Sequence, residues 1–561
     1  MRALLVLLLA AALFPASALG AERLTDDEAI EIADASPTAI DQERKNPDLD
    51  SSASFEDGDW EVAYFTPERQ VAQVVVDDAS GEVEEEWTGY QVAWKMARGY
   101  SGAFGHKLNA PYVFLPLCAI FLVGLFDWRR RRGVANLDLL VLLGFGVSHF
   151  FFNRADIGVS VPLQYPALLY LLGRALWIGF RGRGEGLRPV WPAAWLLVAA
   201  LFLIGFRVGL NIADSGAIDV GYASVVGADR ITHAEPIYGE FPDDVSQGDT
   251  YGPATYLAYV PAELIWPWSG SWDDLPAAHG AAVGFDLAVF GLLILLGLRI
   301  RPGPRGRALA ATLAFGWAAF PYTAYVLESN SNDSLVALLL VATLLVLSKP
   351  IARGAMAALA VAAKFAPALL VPMLATYNPG DGSGSPDEGV RERKPRPQDT
   401  LIGRPALLFA VAFAVVTILM FLWPAIDPGL STVYERTITY QTSRNSPFSI
   451  WGQVEALEPL RVALMAATIG LALLLAFRPR RKSLVQVAAL GAALLICLQL
   501  TVQHWFYLYI VWFYPLLLVA LAALPERADG APFGTMGKEK RPALRSPEPS
   551  PARSSQPGPA G

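Results

Sequence analysis

Ionisable residues are scarce in this chain, and where they occur they gather. Only 17% of its 561 residues are charged, against about 25% in an ordinary soluble domain. Asp214, Asp219, Asp229, Asp243, Asp244 and Asp249 fall in one stretch, and Asn330, Asn332 and Asp333 in a second, around SNSND. Glu435, Arg436 and then Arg444 in RNSPFSIWG make a third; His504 heads the aromatic run HWFYLYIVWFYP. Lys364 stands alone inside an apolar stretch. Carboxylates in such a set can take protons from hydroxyls, and cations can hold anionic groups. An ionisable group within an apolar segment is read as functional by default. For most of these acids the plainer alternative is a solvated loop. No glycine-rich nucleotide loop, HExxH or paired zinc spacing occurs in a fitting context. Cys118 and Cys497 are far apart in separate apolar runs and are read as small core- or lipid-facing residues.

The elements that must position these residues are apolar. Hydrophobic residues make up 53% of the chain, and runs of roughly 17–22 of them recur, a length that matches the ~30 Å hydrocarbon core. The expected spans are about 110–127, 137–153, 163–180, 190–209, 277–298, 307–327, 333–348, 405–425, 459–477, 483–503 and 506–523. This predicts a polytopic all-α membrane protein of about 11–13 transmembrane helices. The four arginines at 129–132 come directly after the first span and belong in the cytoplasm. Two apolar stretches do not fit this alternation. The first, 252–268, carries three prolines and two tryptophans and reads as a surface-lying or re-entrant element. The second, 354–376, has basic residues at both ends and KFAP at its middle, and reads as two half-helices meeting there. With both removed from the count, the polar clusters fall on one face of the membrane.

The N-terminus begins MRALLVLLLAAALFPASALG: one early arginine, an apolar stretch, then small residues. Residues 1–20 are therefore expected to be a secretory signal, which places the next segment outside the cytoplasm. Residues 21–100 are polar and acidic. Thr25 and Glu28 are spaced as a capping box, Trp60, Val62 and Tyr64 alternate, and DDASG at 77–81 supplies a turn. Helix followed by hairpin predicts a small α+β unit. The tail, 526–561, is rich in Pro, Ser, Lys and Arg and is expected to be disordered and cytoplasmic.

These motifs carry two resemblances. The helix followed by DGDWEVAYF and VAQVVVDDASGEV resembles the PepSY domain, an extracytoplasmic module that is often inhibitory or ligand-sensing. AIDVGYASVVGADRITHAEPIYG, DTYGPATYLAYVP, SNSND, AAKFAPALLVP, RNSPFSIWG and HWFYLYIVWFYP, in that order, resemble the GT-C-fold glycosyltransferases, glycosyltransferase family 87 in particular. That likeness covers about residues 190–525, with a large outer loop at 210–275. It implies a plasma-membrane enzyme that moves a sugar, mannose or another hexose or pentose, from a polyprenyl-phosphate donor to a cell-envelope glycan or glycolipid on the outer face. It implies Asp219 as the base, with Asp214 as the alternative, and Lys364, Arg444 and His504 as candidates for the donor phosphate. Tyr222, Tyr238, Tyr251, Asn332 and Asp333 would line the substrate site. Lys364 could instead be a snorkelling lysine, and His504 an interfacial belt residue. The chain departs from the pattern in two ways: Ile237 separates Pro236 from Tyr238, and the spans within 110–189 together with the PepSY-like unit precede the usual start. No cofactor is implied. A divalent metal stays open because some relatives of the fold use one; nucleic acid is not an expected partner. Two other classes remain: a transporter or flippase for a lipid-linked or anionic solute, and a non-catalytic membrane sensor built around the PepSY-like unit.

Overall fold

The computed structural model describes residues 23–525, apart from 57, 68, 100–105, 380–402 and 444–445, together with Gly561. The expected signal at 1–20, the tail from 526, the basic residues of the 380–402 loop and Arg444 lie outside the described residues.

The N-terminal unit is two short helices on a four-stranded antiparallel meander. Helix α1 (Asp26–Asp34) starts at the expected capping box: Thr25 accepts from the Glu28 amide, and the Glu28 carboxylate accepts from the Thr25 amide. A second helix, α2 (Pro37–Lys45), starts at a Ser36 cap and Pro37. The strands are β1 (Asp50–Glu56), β2 (Asp59–Phe65), β3 (Gln70–Asp77) and β4 (Val83–Thr88), paired in chain order. The single helix and hairpin read from the sequence is thus half of the unit. Helix α2 buries only Ala39, so it has no apolar period to read, and β1 (DSSASFE) becomes a strand through its pairing with β2. The alternation does hold: Trp60, Val62, Tyr64, Val74 and Val76 point inward and bury Ala29 and Ala33 of α1.

The rest of the described chain is helical. In order come α3 (Pro111–Leu125), α4 (Val134–Phe152), α5 (Ile157–Arg181), α6 (Ala193–Asp214), α7 (Asp219–Thr232), α8 (Pro253–Glu263), α9 (Pro276–Ile300), α10 (Gly303–Ala319), α11 (Pro321–Glu328), α12 (Asp333–Leu345), α13 (Pro350–Ala363), α14 (Val371–Ala375), α15 (Arg404–Pro424), α16 (Glu458–Phe477), α17 (Leu484–Gln499) and α18 (Ile510–Ala522). Five helical stretches are long and apolar enough to cross a membrane: Val134–Phe152, Ala193–Asp214, Pro276–Ile300, Arg404–Thr439 and Glu455–Phe477. The fourth is almost bare, with Leu407 63% and Ile418 62% exposed. So long an apolar face needs an apolar surrounding. The remaining apolar helices are shorter and lie mostly inside the bundle.

Two departures from regular helix shape the bundle. The 307–327 stretch, expected to be one span, breaks at Phe320, because Pro321 has no amide to give Trp317. The freed Trp317 carbonyl accepts instead from Thr323 Oγ1 at 2.7 Å and from Arg207 Nη1 at 3.2 Å. Arg207 is in turn paired with Asp286 at 2.7 Å, tying α6 to α9. The second break is where the sequence puts it. Helix α13 stops at Ala363, Lys364 is extended, and a short 3₁₀ turn with α14 comes next. The 252–268 stretch is the 11-residue α8, about 16 Å long and too short to cross a bilayer.

Candidate functional site

Helix α7 begins at Asp219, which is exposed, and a carboxylate in the first turn suits the positive end of the helix. The start of α7 is seated on the SNSND turn. The Ile218 amide donates to the Ser329 carbonyl, and Gly221 lies so close to Asn330 that a Cβ would stand 2.4 Å from its carbonyl oxygen. Farther along, Gly227 makes room for the ring of Tyr256 on α8. Asn332 Nδ2 donates to Ser224 Oγ at 3.0 Å, a second tie between the turn and α7.

A cavity of about 220 Å³ opens beside Asp219, walled by Asp243, Asp244, Ser246, Gln247, Tyr251 and Tyr440 among others. Its loop is held from beneath. Arg436 Nε lies 2.8 and 2.7 Å from the two oxygens of the fully buried Asp249, which also accepts from the Gly239 amide. The Tyr238 hydroxyl donates to the Tyr251 carbonyl, and Tyr256 to that of Gly248. Tyr222 donates to Asp244 at 3.0 Å and stacks on Trp272. Burial, with Asp244 beside it, pushes the Tyr222 phenol up; burial, with Asp249 nearby, does the same to Tyr238. Both hydroxyls therefore stay proton donors. Asp219, Asp243 and Asp244 share this wall, yet among the described residues no three His, Cys, Asp or Glu side chains are grouped to hold a metal ion.

Lys364 stands near Tyr251, 5.0 Å from its ring. Helix α8 meets the end of α13 there: the Gly252 amide and Thr255 Oγ1 both donate to the Ala363 carbonyl, which the break leaves without its helical partner. Lys364 Nζ lies 2.5 Å from Asp333 Oδ1 and near the rings of Tyr251, Trp512 and Tyr509, at 5.0, 5.1 and 5.9 Å. Trp512 Nε1 and Ser331 Oγ also donate to Asp333. A buried cation with one carboxylate and three aromatic faces is a desolvated, directional charge.

Of the residues singled out in the sequence, Asp219 and Tyr251 line the cavity, and Lys364, paired with Asp333, lies against the Tyr251 ring. Tyr222 and Tyr238 shape the loop beside it. Asp214 does not join them: it accepts from the Lys107 amide and pairs with its ammonium at 3.0 Å. His504 receives or donates a hydrogen bond at Ser446 Oγ (2.9 Å), packs against Trp94 and Phe448, and is linked toward the lysine through Tyr509, which stacks on Trp512 at 4.3 Å. Sequence reasoning did not single out Arg436 with Asp249, nor Tyr509 with Trp512. The latter two are three residues apart at the start of α18, a spacing that sets both rings on one helix face.

Comparison of the chain with protein-family models, with curated proteins and with solved structures finds no match to any of them. The chemistry open to the site therefore rests on its own geometry: a carboxylate at the mouth of a small cavity, and a caged cation near the tyrosine that walls it.

Proposed function

We propose that the chain is a polytopic membrane glycosyltransferase that takes a sugar from a polyprenyl-phosphate donor and gives it to a cell-envelope acceptor on the outer face. One observation carries the reading: an exposed carboxylate, Asp219, lines a cavity together with Tyr251, and a caged cation, Lys364, lies 5.0 Å from the Tyr251 ring. The cavity next to Asp219, about 220 Å³, is below the ~300–1,000 Å³ of drug-sized pockets and suits a single sugar ring. In the reaction Asp219 takes the proton of the acceptor hydroxyl. A bond forms from that oxygen to the anomeric carbon, and the bond from that carbon to the phosphate oxygen breaks. Its electron pair leaves on the polyprenyl phosphate, whose charge Lys364 offsets. The topology behind this reading has about 11–13 spans, with the sheet unit outside, the tail inside, and a GT-C-like region from about 190 to 525.

Arg207 pairs with Asp286, and Arg174 with Asp138 at 2.9 Å, both buried, and each pair ties two helices together. Purified protein supplied with polyprenyl-phosphate sugars and envelope glycans should form glycosidic product. Lipid movement across vesicles without any product would favour the transporter.

A further inference from the structure

A second cleft lies away from Asp219. It has a volume of about 1280 Å³ and lies between the sheet unit and the loop that begins at Ser446. That exceeds the ~1,000 Å³ upper range of small-molecule sites. Its walls carry the amides of Gln42, Asn46 and Gln70, the hydroxyl of Ser446, and the aromatic rings of Tyr90 and Trp94. Tyr90 is 49% exposed, an open aromatic face at the cleft. The wall also carries Lys45, which is paired with Asp41 at 2.5 Å, and Asp48 and Arg69. The lining is thus mainly polar, with flat apolar faces. Such a wall meets sugar hydroxyls with amides and sugar C–H faces with rings; it lacks the array of cations that a polyanion needs.

A row of packed rings runs from the cleft wall toward the proposed site: Trp94 lies 5.6 Å from the His504 ring, His504 6.3 Å from Tyr509, and Tyr509 4.3 Å from Trp512, which borders Lys364. We infer that this cleft binds the sugar chain of the acceptor, several units back from its reacting end. The inference rests on the glycosyltransferase reading for the identity of its occupant.

The test needs neither donor nor turnover. Full-length protein in detergent is titrated with neutral gluco-, manno- and arabino-oligosaccharides, from monosaccharide to hexasaccharide, and tryptophan emission is followed. In at least one series, affinity should rise about tenfold or more with chain length. Tyr90→Ala should remove that gain, and Tyr90→Trp, which keeps an aromatic face, should restore it. Absence of length-dependent binding in all three series overturns the inference, as does a gain that Tyr90→Ala leaves intact. Length-dependent, Tyr90-dependent binding by a protein that transfers no sugar keeps the cleft and removes the enzyme reading. Transfer to long acceptors with the same KM in wild type and Tyr90→Ala keeps the enzyme and removes the cleft.

Discussion

Lys364 Nζ and Asp333 Oδ1 are 2.5 Å apart, and both side chains are buried. Each makes the other tolerable in a dry site. Removing one partner strands the other, at a cost of about 3–5 kcal/mol, whereas replacing both with neutral residues of similar shape costs far less. Lys364→Met and Asp333→Asn should each lower the thermal unfolding temperature in detergent, and the double variant should recover much of the loss. Sugar transfer should stay absent in the double variant, because the cation proposed to offset the leaving phosphate is gone. Equal stability of all three variants would mean that the pair does not form.

Asp249 and Arg436, 187 residues apart in sequence, fix the cavity loop. Arg436→Lys keeps the charge but loses the two-oxygen contact at Nε. Transfer assays should show a raised KM for the acceptor with a smaller change in kcat, since the pair positions the wall and touches no reacting atom. Asp249→Ala also strips the Gly239 amide of its acceptor and should destabilise the protein by about 3–5 kcal/mol.

These two pairs mark how far the sequence could be read. The KFAP break was legible because Lys and Pro interrupt an apolar run whose basic ends contradict a crossing. The Thr25 capping box and the Trp60–Val62–Tyr64 alternation were legible because each obeys a fixed local period. Asp249 and Arg436 are 187 residues apart, and no local pattern joins them. Asp333 and Lys364 were both singled out, but as separate candidates; only packing of α12, α13 and α18 makes them a pair. The break at Phe320 was hidden because Pro321 sits in an otherwise unbroken apolar run, where its missing amide is compensated by Thr323 and by Arg207 on a distant helix.

Gly252 carries a steric prediction. A Cβ there would stand 2.0 Å from the Ala362 carbonyl oxygen and 2.6 Å from its carbon, backbone atoms that cannot swing aside. Gly252→Ala should push α8 away from the end of α13 and cost about 1–3 kcal/mol. Because Tyr251 precedes it, the variant should also impair transfer, where Gly470→Ala, at a helical position with no atom in reach, changes transfer little.

The sheet unit has an acid-sensitive clasp. Asp78 accepts from the Leu24 and Arg23 amides at 2.9 Å and from Trp60 Nε1 at 3.0 Å, and these bonds, that from Leu24 foremost, hold its carboxyl below the usual range. A depressed folded value means that the contribution is complete above the unfolded value, about 3.9, and is lost as pH falls through the folded one. Protection of the α1 amides, measured as exchange relative to the intrinsic rate at each pH, should therefore fall on acidification below pH ~4. In Asp78→Asn protection should already be low at neutral pH and change little with acid.

The central claim is that Asp219 takes the acceptor's proton. Its most direct test is the initial rate of transfer from a polyprenyl-phosphate sugar by wild type, Asp219→Asn and Asp214→Asn, each confirmed as folded by its unfolding temperature. Loss of a general base costs about 10²–10⁴ in rate. The account predicts that loss for Asp219→Asn with donor binding retained, and a near wild-type rate for Asp214→Asn, whose carboxylate is engaged by Lys107. Wild-type transfer by Asp219→Asn, or loss confined to Asp214→Asn, would contradict it.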